Sequence, residues 1–148
     1  IVYHSRSKKD VTYQYYDSLV EMAAAVDVLI CITPGGPSTY RIVNDEVMNA
    51  LGPEGTLINV SRGSVVDETA LVAALQEGRL GYAGLDVFEH EPKVPEALFG
   101  MPNVVLLPHV GSATVETRAA MGDLTVDNLL QHLDSGTVIS AVPECAHL

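Results

Sequence analysis

Residues 56–91 read TLINVSRGSVVDETALVAALQEGRLGYAGLDVFEHE. An apolar run at 56–60 is followed by a polar turn, then by a segment at 67–77 that carries Leu71, Val72, Ala74 and Leu75 at helical spacing, then by a second apolar run at 82–87. Both runs are continuous rather than alternating, the pattern of strands whose two faces are buried in a parallel sheet. Asp67 is a good N-cap for the intervening helix, and Gly78 can take the left-handed conformation that ends one.

The same grammar extends in both directions. Further strand-like runs lie at 1–3, 28–32 and 104–107, and helical stretches at 17–25 and 44–51, the latter with Asn44 as N-cap and Gly52 at its end. The alternation predicts an α/β fold, a doubly wound parallel sheet with helices on both faces. A last helical pattern at 114–133, ended by Gly136, is longer than an ordinary crossover helix and is expected to reach another part of the protein. Loops stand at 34–37 and 91–102, and neither repeats nor a linker divide the chain. A strand-like segment opens the chain at Ile1 with no helix or turn before it, so upstream sequence is expected.

Composition narrows the function classes. The 148 residues are 47% hydrophobic and 18% charged with 12 Gly and 8 Pro, which fits one globular domain and excludes disordered, collagenous and coiled-coil classes. Lys plus Arg number 8 against 19 Asp plus Glu, a formal charge of -11, which argues against nucleic-acid and anionic-membrane partners. Any anionic ligand needs a local basic site. Cys31 and Cys145 form neither a disulfide framework nor a metal spacing, which favours a reducing cytoplasm. No apolar stretch approaches the roughly 18 residues of a membrane span, and no secretory leader opens the sequence.

In an open parallel sheet, ligands bind beyond the carboxyl ends of the strands. Three such ends are unusual: Ser61-Arg62-Gly63 after 56–60, Glu89-His90-Glu91 after 82–87, and Pro108-His109 after 104–107. Arginine can fork onto a carboxylate and polarise a neighbouring carbonyl, the two groups of a small 2-oxo acid. Histidine paired with a carboxylate can supply the proton that a reduced carbonyl oxygen takes up. The competing readings are surface ion pairs, a metal site built from Glu89, His90, Glu91 and His109, and a serine hydrolase using Ser61 or Ser64. The metal reading lacks a helical His pair or a Cys pair, and the hydrolase reading lacks a nucleophile elbow, so no metal is expected.

The segment after 1–3 reads His4-Ser5-Arg6-Ser7-Lys8-Lys9, three of the chain's 8 cations close together. Taken alone it is a solvated basic turn. Beside the strand-end trio it fits a phosphorylated ribose, because a dinucleotide site for the unphosphorylated cofactor usually carries Asp or Glu there.

The run from Thr33 to Pro92, TPGGPSTYRIVNDEVMNALGPEGTLINVSRGSVVDETALVAALQEGRLGYAGLDVFEHEP, followed by NVVLLPHVGSAT, resembles the cofactor domain of the D-isomer-specific 2-hydroxyacid dehydrogenases. Within that family the likeness is to the glyoxylate, hydroxypyruvate and hydroxyphenylpyruvate reductases. The resemblance implies a Rossmann-like fold, Arg62 as the substrate-binding arginine, His109 as the catalytic histidine and Glu91 as its partner, with Glu89 a bystander. It also implies that Asp86 holds the nicotinamide carboxamide, that the backbone near Thr33, Val60 and Gly111 lines the cofactor, and that Ser5, Arg6 and Ser7 hold the adenine ribose and its 2'-phosphate. The expected cofactor is NADP, with NAD possible, and the expected substrate a small 2-oxo or 2-hydroxy acid. By the same resemblance, residues 1–112 form a dinucleotide-binding domain truncated before its glycine-rich turn, and 113–148 a helix and tail that return to a substrate domain. Such a half is expected to be inactive alone and to work as a homodimer when complete. The alternative is a cofactor-sensing interaction module of the corepressor type on the same fold.

Overall fold

The computed structural model describes residues 1–145, and these fall into two compact units, Ile1–His109 and the described residues from Val110 onward. In the first, a four-stranded parallel sheet runs in the order β3 (Val28–Cys31), β4 (Thr56–Asn59), β5 (Tyr82–Leu85), β6 (Val104–Leu106). Val28 stands opposite Thr56, Thr56 opposite Tyr82, and Ala83 opposite Val104. All four carboxyl ends therefore open on one edge.

The connecting helices begin where local chemistry dictates. Ser18 caps α1 (Leu19–Ala24), Asn44 caps α2 (Asp45–Leu51) through a 3.1 Å bond from the Val47 N–H, and Asp67 caps α3 (Glu68–Gln76) through a 3.2 Å bond from the Ala70 N–H. Each cap contributes ~1 kcal/mol. Gly52 and Gly78, both at positive φ, follow α2 and α3 as expected.

Two features differ from the sequence expectation. Segment 1–3 does not join the four-stranded sheet: β1 (Val2–Tyr3) pairs in parallel with β2 (Gln14–Tyr15), a two-residue strand that polar Gln14 does not announce. The strands are also not covered equally on both faces. Leu29, Cys31, Leu57, Asn59, Ala83 and Leu85 are buried with Met48, Leu51, Leu71 and Leu75 of the helices, whereas Val28, Ile30, Tyr82 and Val105, which alternation turns the other way, are exposed. Each large apolar side chain on the covered face contributes ~1.5–3 kcal/mol by burial.

In the second unit α4 (Val115–Ser135) is capped by Thr114 and ends at Gly136 in the left-handed conformation, φ 73°. Its tail folds back locally: the Ser140 N–H donates to Asn128 and the Gln131 amide to Thr137, each at 3.0 Å. None of its helical residues is buried within this chain. Among the described residues no helix is long and apolar enough to cross a membrane. Both cysteines are unpaired; Cys31 lies in the core, where burial pushes its thiol up to about 12.

Candidate active site

The carboxyl ends of β3, β4, β5 and β6 surround a cleft of about 1230 Å³ whose walls include Thr33, Gly35, Arg62, Glu91 and His109. Four chain segments, remote in sequence, thus meet on the edge that the parallel register creates.

Asn59 shapes the Arg62 corner. Almost fully buried at the end of β4, its side-chain oxygen accepts from the Ser61 N–H (3.1 Å) and hydroxyl (2.9 Å), while its amide donates to the Arg62 carbonyl at 3.0 Å. The main chain must turn at once and present Arg62. Arg62 Nη1 donates to the Ser61 carbonyl at 2.6 Å, fixing one end of the guanidinium. Gly35 leaves room for that side chain, since a Cβ there would come within 2.9 Å of Arg62 Cγ.

Glu91 and His109 form the second corner. His109 Nδ1 donates to Glu91 Oε2 at 2.8 Å, and Glu91 Oε1 accepts from the Phe88 N–H at 3.0 Å. Both carboxylate oxygens are thus spoken for. The His109 contact, then the Phe88 N–H, hold the Glu91 carboxyl below the usual carboxylate range, and the Arg62 charge adds a smaller pull in the same direction. His109 has φ 56°, an uncommon conformation for a non-glycine residue, and it stands just after β6. Among the described residues the imidazole Nε2 makes no hydrogen bond, and His109 lines the cleft.

Of the other expected residues, Thr33 lines the cleft, and its Oγ1 is buried without a hydrogen-bond partner among the described residues. Val60 lines the cleft and also a cavity of about 560 Å³ on the open face of the sheet, which Asp86 shares. Asp86 is buried, and its N–H donates to the Asn59 carbonyl at 3.0 Å. Ser5, Arg6 and Ser7 are not part of the cleft wall; they form the turn after β1, where Ser5 Oγ donates to the Ser7 carbonyl at 2.7 Å and Arg6 is exposed. Gly111 belongs to the second unit. Among the described residues no group of three metal-ligating side chains is gathered.

Thr33 lines the cleft with a buried hydroxyl that has no partner among the described residues, and exposed Arg6 carries a guanidinium of the kind that forks onto a phosphate. These residues fit a dinucleotide. The glycine-rich pyrophosphate turn, GxGxxG, does not occur in residues 1–148.

Residues 1–111 match the model of the D-isomer specific 2-hydroxyacid dehydrogenase NAD binding domain. The chain belongs to this family. It is 59% identical over 143 residues to hydroxyphenylpyruvate reductase of Plectranthus scutellarioides, covering 96% of this chain and 46% of that protein. It is 54% identical, with the same coverage, to glyoxylate/hydroxypyruvate reductase A of Arabidopsis thaliana. The fold matches, at a TM-score of 0.93 and 56% identity, the crystal structure of an NADPH-dependent glyoxylate/hydroxypyruvate reductase from Sinorhizobium meliloti in complex with NADP and malonate, over 97% of this chain and 45% of that one. This member of the 2-hydroxyacid dehydrogenases therefore spans under half the length of the relatives it matches.

The sequence reading sets Glu89 aside as a bystander, names Gly63 only as the residue after Arg62, and gives no role to Asn59. Asn59 looked like one more residue of a buried strand, and its signal was a polar residue at the end of an apolar run. Gly63 lies where a Cβ would collide with the Phe88 carbonyl group, so the Arg62 and Glu91 loops touch backbone to backbone. Glu89 makes no bond to His109; it accepts from Tyr40 and Arg41, and its N–H donates to Glu68.

Proposed function

We propose that residues 1–148 are the catalytic half of an NADPH-dependent reductase that converts a small 2-oxo acid, of the glyoxylate or hydroxypyruvate type, into its D-2-hydroxy acid. The observation that carries it is the 2.8 Å Glu91–His109 pair in one cleft with Arg62. Arg62 receives the substrate carboxylate and draws electron density from the adjacent carbonyl. Glu91 fixes the His109 ring with Nδ1 occupied, so Nε2 faces the substrate oxygen and delivers the proton as the alkoxide forms. The bound nicotinamide supplies the hydride. Thr33, Val60, Asp86 and Gly111 line its site in this reading, and Ser5, Arg6 and Ser7 hold the ribose 2'-phosphate.

Residues 1–112 are proposed as a partial dinucleotide-binding domain and 113–148 as a helix and tail that return to a substrate domain, in a cytoplasmic homodimer. NAD is the second cofactor to try. Steady-state assay of a full-length protein carrying this sequence, with glyoxylate, hydroxypyruvate and hydroxyphenylpyruvate, tests the reading. NADPH-dependent turnover is expected, with His109→Gln lowering kcat by ~10² to 10⁴ and Arg62→Lys weakening 2-oxo acid binding. Absence of turnover with every 2-oxo acid would favour the corepressor-type interaction module instead.

A further inference from the structure

Arg41 touches both loops of the cleft, although it lies in neither. Its N–H donates to the Ser64 carbonyl at 2.8 Å, two residues beyond Arg62, and the pairing continues through Val43 to Val65 and Asp67. Its Nη2 donates to Glu89 Oε2 at 3.2 Å, two residues before Glu91, and Nη1 makes a longer contact of 3.5 Å to Asp67. Tyr40 supports the same target, its hydroxyl donating to Glu89 Oε1 at 3.0 Å. Glu68 holds the main chain of that turn by accepting from the Glu89 N–H at 2.8 Å.

Two details separate this arrangement from an ordinary surface ion pair, which contributes little. The Glu89 side chain is only 10% exposed, so without Arg41 a largely buried carboxylate keeps Tyr40 alone as a side-chain partner. Arg41 also holds φ at 49°, a conformation that costs a non-glycine residue energy and persists only where its surroundings enforce it. In that conformation the one residue makes both the N–H bond to Ser64 and the guanidinium bonds to Glu89.

We propose that Arg41 is a positioning residue, whose main chain grips the Arg62 loop and whose side chain grips the Glu91 loop through Glu89, so that it sets the spacing between Arg62 and the Glu91–His109 pair. The inference rests on the reductase reading for its catalytic meaning, but its geometric content is independent of it. Removing the clasp lets the 88–91 turn shift, which weakens the Phe88 and His109 contacts of Glu91 together.

The test follows the Glu91 carboxyl by carbon NMR as a function of pH in the 148-residue chain. Arg41→Asn tolerates the left-handed backbone but cannot reach Glu89; Arg41→Lys keeps the charge without the fork. In folded Arg41→Asn the Glu91 midpoint is expected to rise towards that of an ordinary glutamate, and Arg41→Lys is expected to restore most of the wild-type value. A merely structural arginine would lower the melting temperature and leave the Glu91 midpoint alone, which would overturn the proposal. If Arg41→Asn does not fold, Glu89→Gln removes the ion pair while retaining an acceptor for Tyr40, and an unmoved Glu91 midpoint in that variant overturns it equally. In the full-length protein, Arg41→Asn is expected to lower kcat roughly ten- to a hundredfold with the cofactor KM unchanged. A shifted Glu91 titration in a protein that turns over no 2-oxo acid would uphold the clasp and sink the reductase reading; turnover with an unmoved titration would do the reverse.

Discussion

Gly63 faces the main-chain carbonyl of Phe88 with no space for a methyl group between them. This contact brings the loop bearing Arg62 against the turn bearing Glu91. Gly63→Ala forces those backbones apart, and because the obstacle is a peptide group rather than a flexible side chain, nothing nearby can yield cheaply. Urea unfolding is expected to show a loss of about 2 kcal/mol or more. A stability within a few tenths of wild type would mean that the loops separate freely.

The Glu91 carboxyl gives stability a definite pH dependence. Its folded-state pKa lies below that of an unfolded glutamate, so its contribution is complete above the unfolded value and is lost as pH falls through the folded one. Glu68 has the opposite sign: burial raises its carboxyl, so its contribution is present below the unfolded value and is lost as pH rises through the folded one. Denaturation from pH 7 into the acid range is therefore expected to show the gap between wild type and Glu91→Gln closing as pH falls, and Glu68→Gln rising more steeply with pH than wild type. Parallel curves for all three proteins would contradict both assignments.

Cofactor choice tests the turn after β1. A ribose 2'-phosphate carries about two negative charges near neutral pH, and Arg6 can fork onto it while Ser5 and Ser7 add neutral bonds. Arg6→Ala combined with Ser5→Asp in the full-length protein is expected to lower kcat/KM for NADPH about ten- to a hundredfold, equivalent to ~1.5–3 kcal/mol, while sparing or improving NADH. A wild-type preference for NADH would reduce this turn to a solvated surface.

Thiol chemistry separates the two cysteines. Burial keeps Cys31 protonated up to about 12, whereas Cys145 is part-exposed. Titration with an aromatic disulfide at pH 8 is expected to find Cys145 alone in the folded chain and both of its 2 cysteines in denaturant. Rapid reaction of both under native conditions would mean that the β3 core opens readily.

The helix starts were legible because capping is local: Asn44 and Asp67 declare themselves by side-chain type and by the apolar spacing that follows. The strand-end placement of Arg62, Glu91 and His109 was legible too, since a parallel sheet brings its carboxyl ends together whatever lies between. The Arg41–Glu89 contact was not, because it joins residues 48 positions apart and depends on a backbone angle that the sequence TYR does not announce. Continuous apolar runs likewise could not tell that Val28, Ile30 and Val105 lie exposed, since hydrophobicity states a requirement for cover without naming its source.

β3 ends the four-stranded sheet, and its outer margin carries a row of peptide groups beside exposed Val28, Ile30 and Ile32. Such a margin is a template for another strand. A further strand added there would pair with the main chain of residues 28–31 and hide that apolar row from water.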